Sequence, residues 1–111
     1  MTSTDPAHYG PLTIDGGTEL RPIYDPRLRT FSVQLWKNGE PAGIHGLTTP
    51  YLYADEATVE IVPFLQKHGI RVLSGPEMVH LCGALLRAKN PAGPDFQLFL
   101  MKAARSRVTT D

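Results

Sequence analysis

The sequence predicts an α+β domain, with a mostly antiparallel sheet in the N-terminal two-thirds and two or three C-terminal helices packed on one face. Three observations lead to this prediction. Short alternating apolar and polar segments between turn signals fill the first part of the chain. Helix start and stop signals follow them. The 111 residues, 41% of them hydrophobic, suit one domain with a modest core.

The composition excludes several classes of protein. Eleven basic residues balance eleven acidic ones, so the chain lacks the basic surface that nucleic-acid binding requires. The single cysteine cannot form an internal disulfide. We find no signal-peptide pattern and no apolar run near the roughly 18 residues of a membrane span. We therefore expect a cytoplasmic protein that binds neither nucleic acid nor membranes.

The domain is expected to cover residues 12–107. Residues 1–11 are polar and contain two prolines and a glycine, which is typical of a flexible arm. Residues 108–111 are expected to form a short tail.

Turn residues divide the first part of the domain into strands. Asp15, Gly16 and Gly17 lie between short apolar runs and predict a hairpin turn. Pro22 cannot donate a backbone hydrogen bond, so the strand around residues 20–24 is predicted to lie at a sheet edge. Asp25-Pro26 then turns the chain.

A central hairpin is the clearest prediction. Residues 30–36 alternate in polarity, and Asn38-Gly39 supplies a two-residue type I′ turn. This turn predicts pairing of Lys37 with Glu40, Leu35 with Ala42, and Val33 with Ile44. The predicted core face carries Phe31, Val33, Leu35, Ala42 and Ile44. The opposite face carries Ser32, Gln34, Trp36, Pro41, Gly43 and His45.

Residues 55–68 allow two interpretations. The β-branched residues at 58, 59, 61 and 62 favour a strand, followed by a short helix that begins near Pro63 and that Gly69 closes. The alternative is one helix from Asp55, which would place Pro63 in its interior at a cost of roughly 3 kcal/mol. The cost of an interior proline favours the strand.

After a short predicted strand at residues 70–73, a helix is predicted to start at a capping box formed by Ser74 and Glu77. Asn90-Pro91 should end this helix. One face would carry Met78, Leu81, Cys82 and Leu85, and the other His80, Gly83 and Arg87. His80 and Cys82 are then about 200° apart around the helix, so they cannot form a nucleophilic pair. Cys82 is predicted to be buried and inert, and His80 to be solvated.

The last element, residues 96–106, also has two interpretations. Phe96, Phe99, Leu100 and Ala103 have helical spacing, and Asp95 is a suitable cap. A buried strand over Phe96–Met101 is the alternative. The good helix formers in this segment favour the helix.

No catalytic or metal-binding motif is present in the sequence. The histidines at positions 8, 45, 68 and 80 show no paired spacing, whereas a metal site needs three or four converging ligands. Phosphate-binding glycine loops, nucleophile elbows and zinc signatures are also missing. These residues predict no metal and no cofactor.

The order of QLWKNGEPAG, ATVEIV, QKHGIR and a helix resembles that of acetyl-CoA-dependent N-acetyltransferases. In that family a Gln/Arg-x-x-Gly-x-Gly/Ala segment follows a strand and presents backbone amides to the cofactor's pyrophosphate at a helix start. Gln66 and Gly69 match this segment, while Arg71 replaces its small third residue. The resemblance implies a coenzyme A site at these three residues.

The second face of the central hairpin carries the main functional prediction. A tryptophan on the less apolar face of a sheet is either covered by a helix or loop, or is an anchor for a partner. The candidate interface comprises Ser32, Gln34, Trp36 and His45, extended by Tyr51 and Tyr53. We expect a small non-enzymatic protein-binding module, with a homodimer as one form of the contact. The alternative is an acetyltransferase-like enzyme or a ligand-binding protein.

Overall fold

The computed structural model describes residues 9–109, with side chains described over residues 9–103. Four strands precede four helices in this part of the chain, which confirms the α+β prediction with one helix more than expected. The strands are β1 (Leu12–Ile14), β2 (Thr18–Asp25), β3 (Thr30–Lys37) and β4 (Glu40–His45). The helices are α1 (Ala54–Val59), α2 (Ile61–Lys67), α3 (Gly75–Lys89) and α4 (Pro94–Thr109).

The four strands form an antiparallel meander in the order β1-β2-β3-β4. The predicted turn at residues 15–17 joins β1 to β2. Asn38 and Gly39 have φ angles of 52° and 81°, as a type I′ turn requires. Asp25 Oδ1 accepts hydrogen bonds from the backbone N–H groups of Arg27 and Leu28, which closes the turn between β2 and β3.

The prediction that the Pro22 strand is an edge strand is wrong, because β2 lies between β1 and β3. The strand β1 is short, however, and pairs only with residues 18–20 of β2. Pro22 therefore has a ladder partner on the β3 side alone, where it lies opposite Val33. The missing N–H of proline is tolerated because this half of β2 is locally an edge.

The main core lies between the sheet and the helices. Helix α3 packs on β1 and β2, and α1 packs on β3. The sheet contributes Leu12, Ile14, Leu20, Phe31, Val33 and Leu35, and the helices contribute Ala57, Ile61, Leu65, Leu81 and Leu85. Each large apolar side chain buried in this way contributes about 1.5–3 kcal/mol.

Residues 54–67 form two short helices, so the predicted strand over this segment is wrong. The chain breaks at Glu60, which puts Pro63 in the first turn of α2, where no intrahelical N–H bond is needed. The cost that argued against a helix is therefore avoided. Gly69, with φ 71°, follows the end of α2 as predicted. Thr58 is accommodated because its hydroxyl donates to the carbonyl of Ala54 at 2.7 Å.

Helix α3 begins and ends as predicted. Ser74 and Glu77 form the complete capping box, and Asn90 is the C-cap. Residues 70–73 pair with no strand in the described chain, so the strand predicted there is wrong. Leu73 is nevertheless buried in the core.

Helix α4 confirms the helical interpretation of the last element and buries Phe96 and Leu100 with Tyr9. Tyr9 is only 4% exposed, so the predicted arm of residues 1–11 overlaps the packed structure there. The predicted arm residues 1–8 lie outside the described residues.

The second side of α3 is also packed, which corrects the prediction for His80. Gly83 is buried against the rings of Phe99 and Tyr9. His80 is part-buried and bonds through Nε2 to the carbonyl of Gly10 at 3.0 Å, so it is not a solvated histidine. A helix between two layers buries both sides, although its amphipathic pattern marks only one.

Candidate functional site

A β-bulge determines which residues of β4 face the core. Lys37 pairs with Glu40 and Trp36 with Pro41, as predicted, but the register then shifts and Leu35 pairs with Gly43. Ala42 is the extra residue. Bulges accommodate proline and glycine, which flank this position in the sequence.

The bulge reverses the predicted faces of β4 beyond Pro41. Ala42 and Ile44, which were predicted to be core residues, are exposed, while His45 pairs with Val33 and is 5% exposed. The prediction that His45 belongs to the same face as Trp36 is therefore wrong. Its Nε2 bonds to the carbonyl of Ala57 at 2.9 Å, on the helical side of the sheet.

The face directed away from the helices, called the outer face below, is open. It consists of Thr13, Glu19, Arg21, Ile23, Ser32, Gln34, Trp36 and Ile44. None of these residues is buried, and Ile23 and Ile44 are each 37% exposed. Trp36 is half-buried, so no helix or loop of the described chain covers it completely.

Trp36 is half-buried by a neighbour on the same face. The guanidinium carbon of Arg21 lies 3.9 Å from the centre of the indole ring. Glu19, directly opposite Trp36 in the ladder, accepts a 2.7 Å hydrogen bond from Arg21 Nε. A cation over an exposed aromatic ring contributes about 0.5–1 kcal/mol. Glu19 thus helps to hold the guanidinium of Arg21 over the indole.

The indole N–H of Trp36 has an unusual environment. Nε1 is buried and has no hydrogen-bond partner among the described residues. An unsatisfied buried donor costs about 1–3 kcal/mol. A depression of about 230 Å³ adjoins the ring and is also lined by Thr13, Glu19 and Arg21. The outer face thus combines a shallow cavity with a large aromatic side chain whose buried N–H has no partner among the described residues.

The structure separates the predicted interface residues. Ser32 and Gln34 lie on the outer face with Trp36. Tyr51 lies on the helical side, where its ring centre is 4.9 Å from that of His45 and its backbone pairs with Phe31. Tyr53 precedes α1 and is 66% exposed in a groove between helices. The sequence analysis missed Arg21, because the pairing of β2 with β3 that brings it to Trp36 was not predicted.

The residues implied by the acetyltransferase resemblance do not surround an anion pocket. Gln66 and Gly69 are exposed. Arg71 donates to both carboxylate oxygens of Glu77, at 2.8 and 2.9 Å, and also to Asp15. These carboxylates raise the pKa of Arg71.

Glu77 occupies the start of α3, where the resemblance would place pyrophosphate. The hydrogen bonds from Arg71 and from the backbone of Ser74 lower the pKa of Glu77 to about 2. A carboxylate that stays ionised at a helix start repels a second anion. This arrangement does not favour the coenzyme A interpretation.

Other reactive groups lie on the helical side. His45 and His68 line one cleft of about 400 Å³, with the ring of Phe64 between them. Cys82 packs against the core as predicted but is only partly buried, and burial raises the pKa of its thiol. Within the described residues, no group of three or more His, Cys, Asp or Glu side chains could hold a metal ion.

Comparisons with known proteins found no match to this chain among family models, curated proteins or solved structures. Among the described helices, none is long and apolar enough to cross a membrane.

Proposed function

We propose that this protein is a small non-enzymatic protein-binding module, an adaptor, inhibitor or regulator, that contacts another protein through its outer face. The observation that carries the proposal is the stack of Arg21 on Trp36 in a sheet face that no described element covers. Tryptophan and arginine are the residue types most enriched among those that dominate binding energy at interfaces.

The surroundings of the stack resemble the composition of an interface. Ile23 and Ile44 flank it and are partly exposed. The charge of Arg21 is balanced by Glu19, so a partner is not required to supply an acidic group. The cavity beside the ring offers room for one side chain of the partner. A central aromatic anchor with aliphatic neighbours and a polar rim is a common interface arrangement.

Binding through the face is favoured over strand addition at the sheet edge. The described sheet has two edges. One is β4, which contains Pro41 and the bulge at Ala42. The other is the three-residue strand β1, beyond which β2 is uncovered and contains Pro22. Proline removes a backbone donor, and a bulge disrupts the regular ladder that an added strand would need. Both edges are therefore protected, whereas the outer face is accessible.

A capture experiment tests the proposal. Wild-type protein, Trp36→Ala and the control Leu47→Ala are immobilised separately and exposed to extract of the native host, and the retained proteins are identified by mass spectrometry. Leu47 is 70% exposed but lies outside the outer face, so its variant controls for loss of an exposed apolar side chain. We expect wild type and Leu47→Ala to retain the same protein, which Trp36→Ala loses.

Binding of the captured protein is then measured with the purified components. Loss of a central anchor should weaken binding roughly 30-fold or more. Equal affinity of Trp36→Ala and wild type would reject the outer face as the interface.

A further inference from the structure

A second exposed apolar surface lies on the opposite side of the molecule, between the start of α1 and helices α3 and α4. Here a groove of about 420 Å³ has a floor that includes Cys82, Leu86 and Phe99. Leu52 and Tyr53 project beside it from the segment before α1, and Leu98 projects from α4. This region is called the helical groove below.

The projecting side chains are mostly exposed. Leu52 and Leu98 are 60% and 51% exposed, and Met101, one turn after Leu98, is 62% exposed. Single exposed apolar residues are ordinary, but a cluster around a concave apolar surface marks an interaction site.

The charges around the groove indicate what occupies it. Lys89 and Asp95 neutralise each other at 3.0 Å. Asp55 at the start of α1 and Lys102 on α4 also line the groove, and neither has an ion-pair partner among the described residues. Because the groove carries one such negative charge and one such positive charge, the grooves of two copies can attract each other. A two-fold rotation can bring Asp55 of each copy to Lys102 of the other.

We infer that the helical groove is a self-association surface whose occupant is a second copy of this chain. In a two-fold contact, Leu52 and Tyr53 of each copy enter the groove of the other, and the two Asp55–Lys102 pairs form at the rim. The neutral chain adds no net repulsion between copies. The inference does not rest on the proposed function, because the contact leaves the outer face of both copies free.

Sedimentation equilibrium from about 1 µM to about 1 mM tests the inference. We expect the wild type to dimerise reversibly. Leu98→Glu should weaken dimerisation at least roughly tenfold, since it places a charge against the floor of the partner's groove. Leu47→Glu, at a residue that is 70% exposed and does not line the groove, should dimerise like the wild type.

A charge exchange distinguishes a two-fold contact from other associations. Asp55→Lys and Lys102→Asp should each dimerise less than the wild type, because each puts like charges together. Mixing these two variants should restore dimerisation, since every cross-pair in the heterodimer is again opposite in sign. Circular dichroism of each variant checks that the fold is retained.

A wild type that stays monomeric up to about 1 mM would overturn the inference, as would a Leu98→Glu variant that dimerises normally. Failure of the mixed variants to recover would overturn the two-fold arrangement. Loss of dimerisation in Trp36→Ala, with Leu98→Glu unaffected, would instead make the outer face the dimer contact.

Discussion

Nε2 of His45 donates a hydrogen bond to the carbonyl oxygen of Ala57 at 2.9 Å, which joins the edge strand to the first helix. A carbonyl can only accept, so the imidazole proton resides on Nε2. Burial lowers the pKa of His45 from its ordinary value of 6.5, while the bond to Ala57 and the charge of Glu60 raise it by less. At neutral pH the folded protein therefore holds this histidine in its neutral form.

Stability should fall as the pH drops below about 6.5. The unfolded chain takes up a proton at the ordinary pKa of histidine, whereas folded His45 resists protonation, so unfolding is favoured from there down to the folded pKa. Urea denaturation between about pH 7.5 and pH 5 measures this loss. His45→Gln keeps a donor near the same position and does not titrate. It should therefore make the free energy of unfolding depend less steeply on pH. If the free energy of unfolding of this variant depends on pH as it does in the wild type, His45 is not the group responsible.

The position of His45 shows where prediction from the sequence stops. The Asn38-Gly39 turn and the first two residue pairs of the hairpin were correct because turn chemistry is local. The bulge at Ala42 accompanies tertiary contacts of His45 with Ala57 and Phe64, which are distant in sequence, and only the nearby proline and glycine hinted at it. Ser32, Gln34 and Trp36 were therefore assigned to the correct face, and His45 was not.

The helices show the same contrast between local and tertiary information. The capping box and the end of α3 follow from neighbouring residues and were predicted. The burial of Gly83 and the contact of His80 with Gly10 depend on α4 and on residues 9–10, which are distant in sequence. No periodicity within α3 contains that information.

The ion pair at the start of α3 predicts a second pH dependence, in a separate window. The pKa of Glu77 is about 2 in the folded protein, below its ordinary value of 4.5. A carboxylate with a depressed pKa stabilises the fold above its unfolded pKa, and this contribution is lost as the pH falls from 4.5 towards 2.

Glu77→Gln should cost roughly 1 kcal/mol at neutral pH, because it weakens the cap and removes a pair that solvent partly screens. Denaturation at neutral pH and near pH 3 measures both effects. The variant should lose less stability on acidification than the wild type. If both proteins lose the same amount, the pair does not stabilise the fold.

The contact between α3 and α4 requires glycine at position 83. A methyl group there would lie 2.6 Å from Phe99 Cζ and 2.8 Å from Tyr9 Cδ1. Overpacking of this kind costs about 1–3 kcal/mol, against a gain of about 1 kcal/mol in helix propensity. Gly83→Ala should therefore be destabilising in thermal unfolding.

Gly75→Ala is the control, because Gly75 also belongs to α3 and the space beside it is open. It should be neutral or stabilising by about 0.5 kcal/mol. A Gly83→Ala variant as stable as Gly75→Ala would contradict the close packing of the two helices.

Coenzyme A should not stabilise the protein. A ligand at a hundred times its dissociation constant stabilises a fold by about 2.7 kcal/mol, which would raise the melting temperature of a domain of this size by several degrees. With Arg71 bound to Glu77 and Asp15, we expect no shift at millimolar coenzyme A. A saturable rise that Arg71→Ala abolishes would favour the acetyltransferase interpretation instead.

Two substitutions of Trp36 separate its contribution to stability from its contribution to binding. Trp36→Ala should cost about 1–2 kcal/mol, because the ring is only half-buried under Arg21. Phe96→Ala, at a fully buried ring, should cost roughly 3–5 kcal/mol and serves as the reference for a core aromatic residue. Trp36→Phe removes the buried, unpartnered indole N–H, so its stability should stay within about 0.5 kcal/mol of the wild type. Urea denaturation measures the free energy of unfolding of all three variants. If Trp36→Ala destabilises the fold as much as Phe96→Ala does, Trp36 belongs to the core, and the outer face loses its proposed anchor.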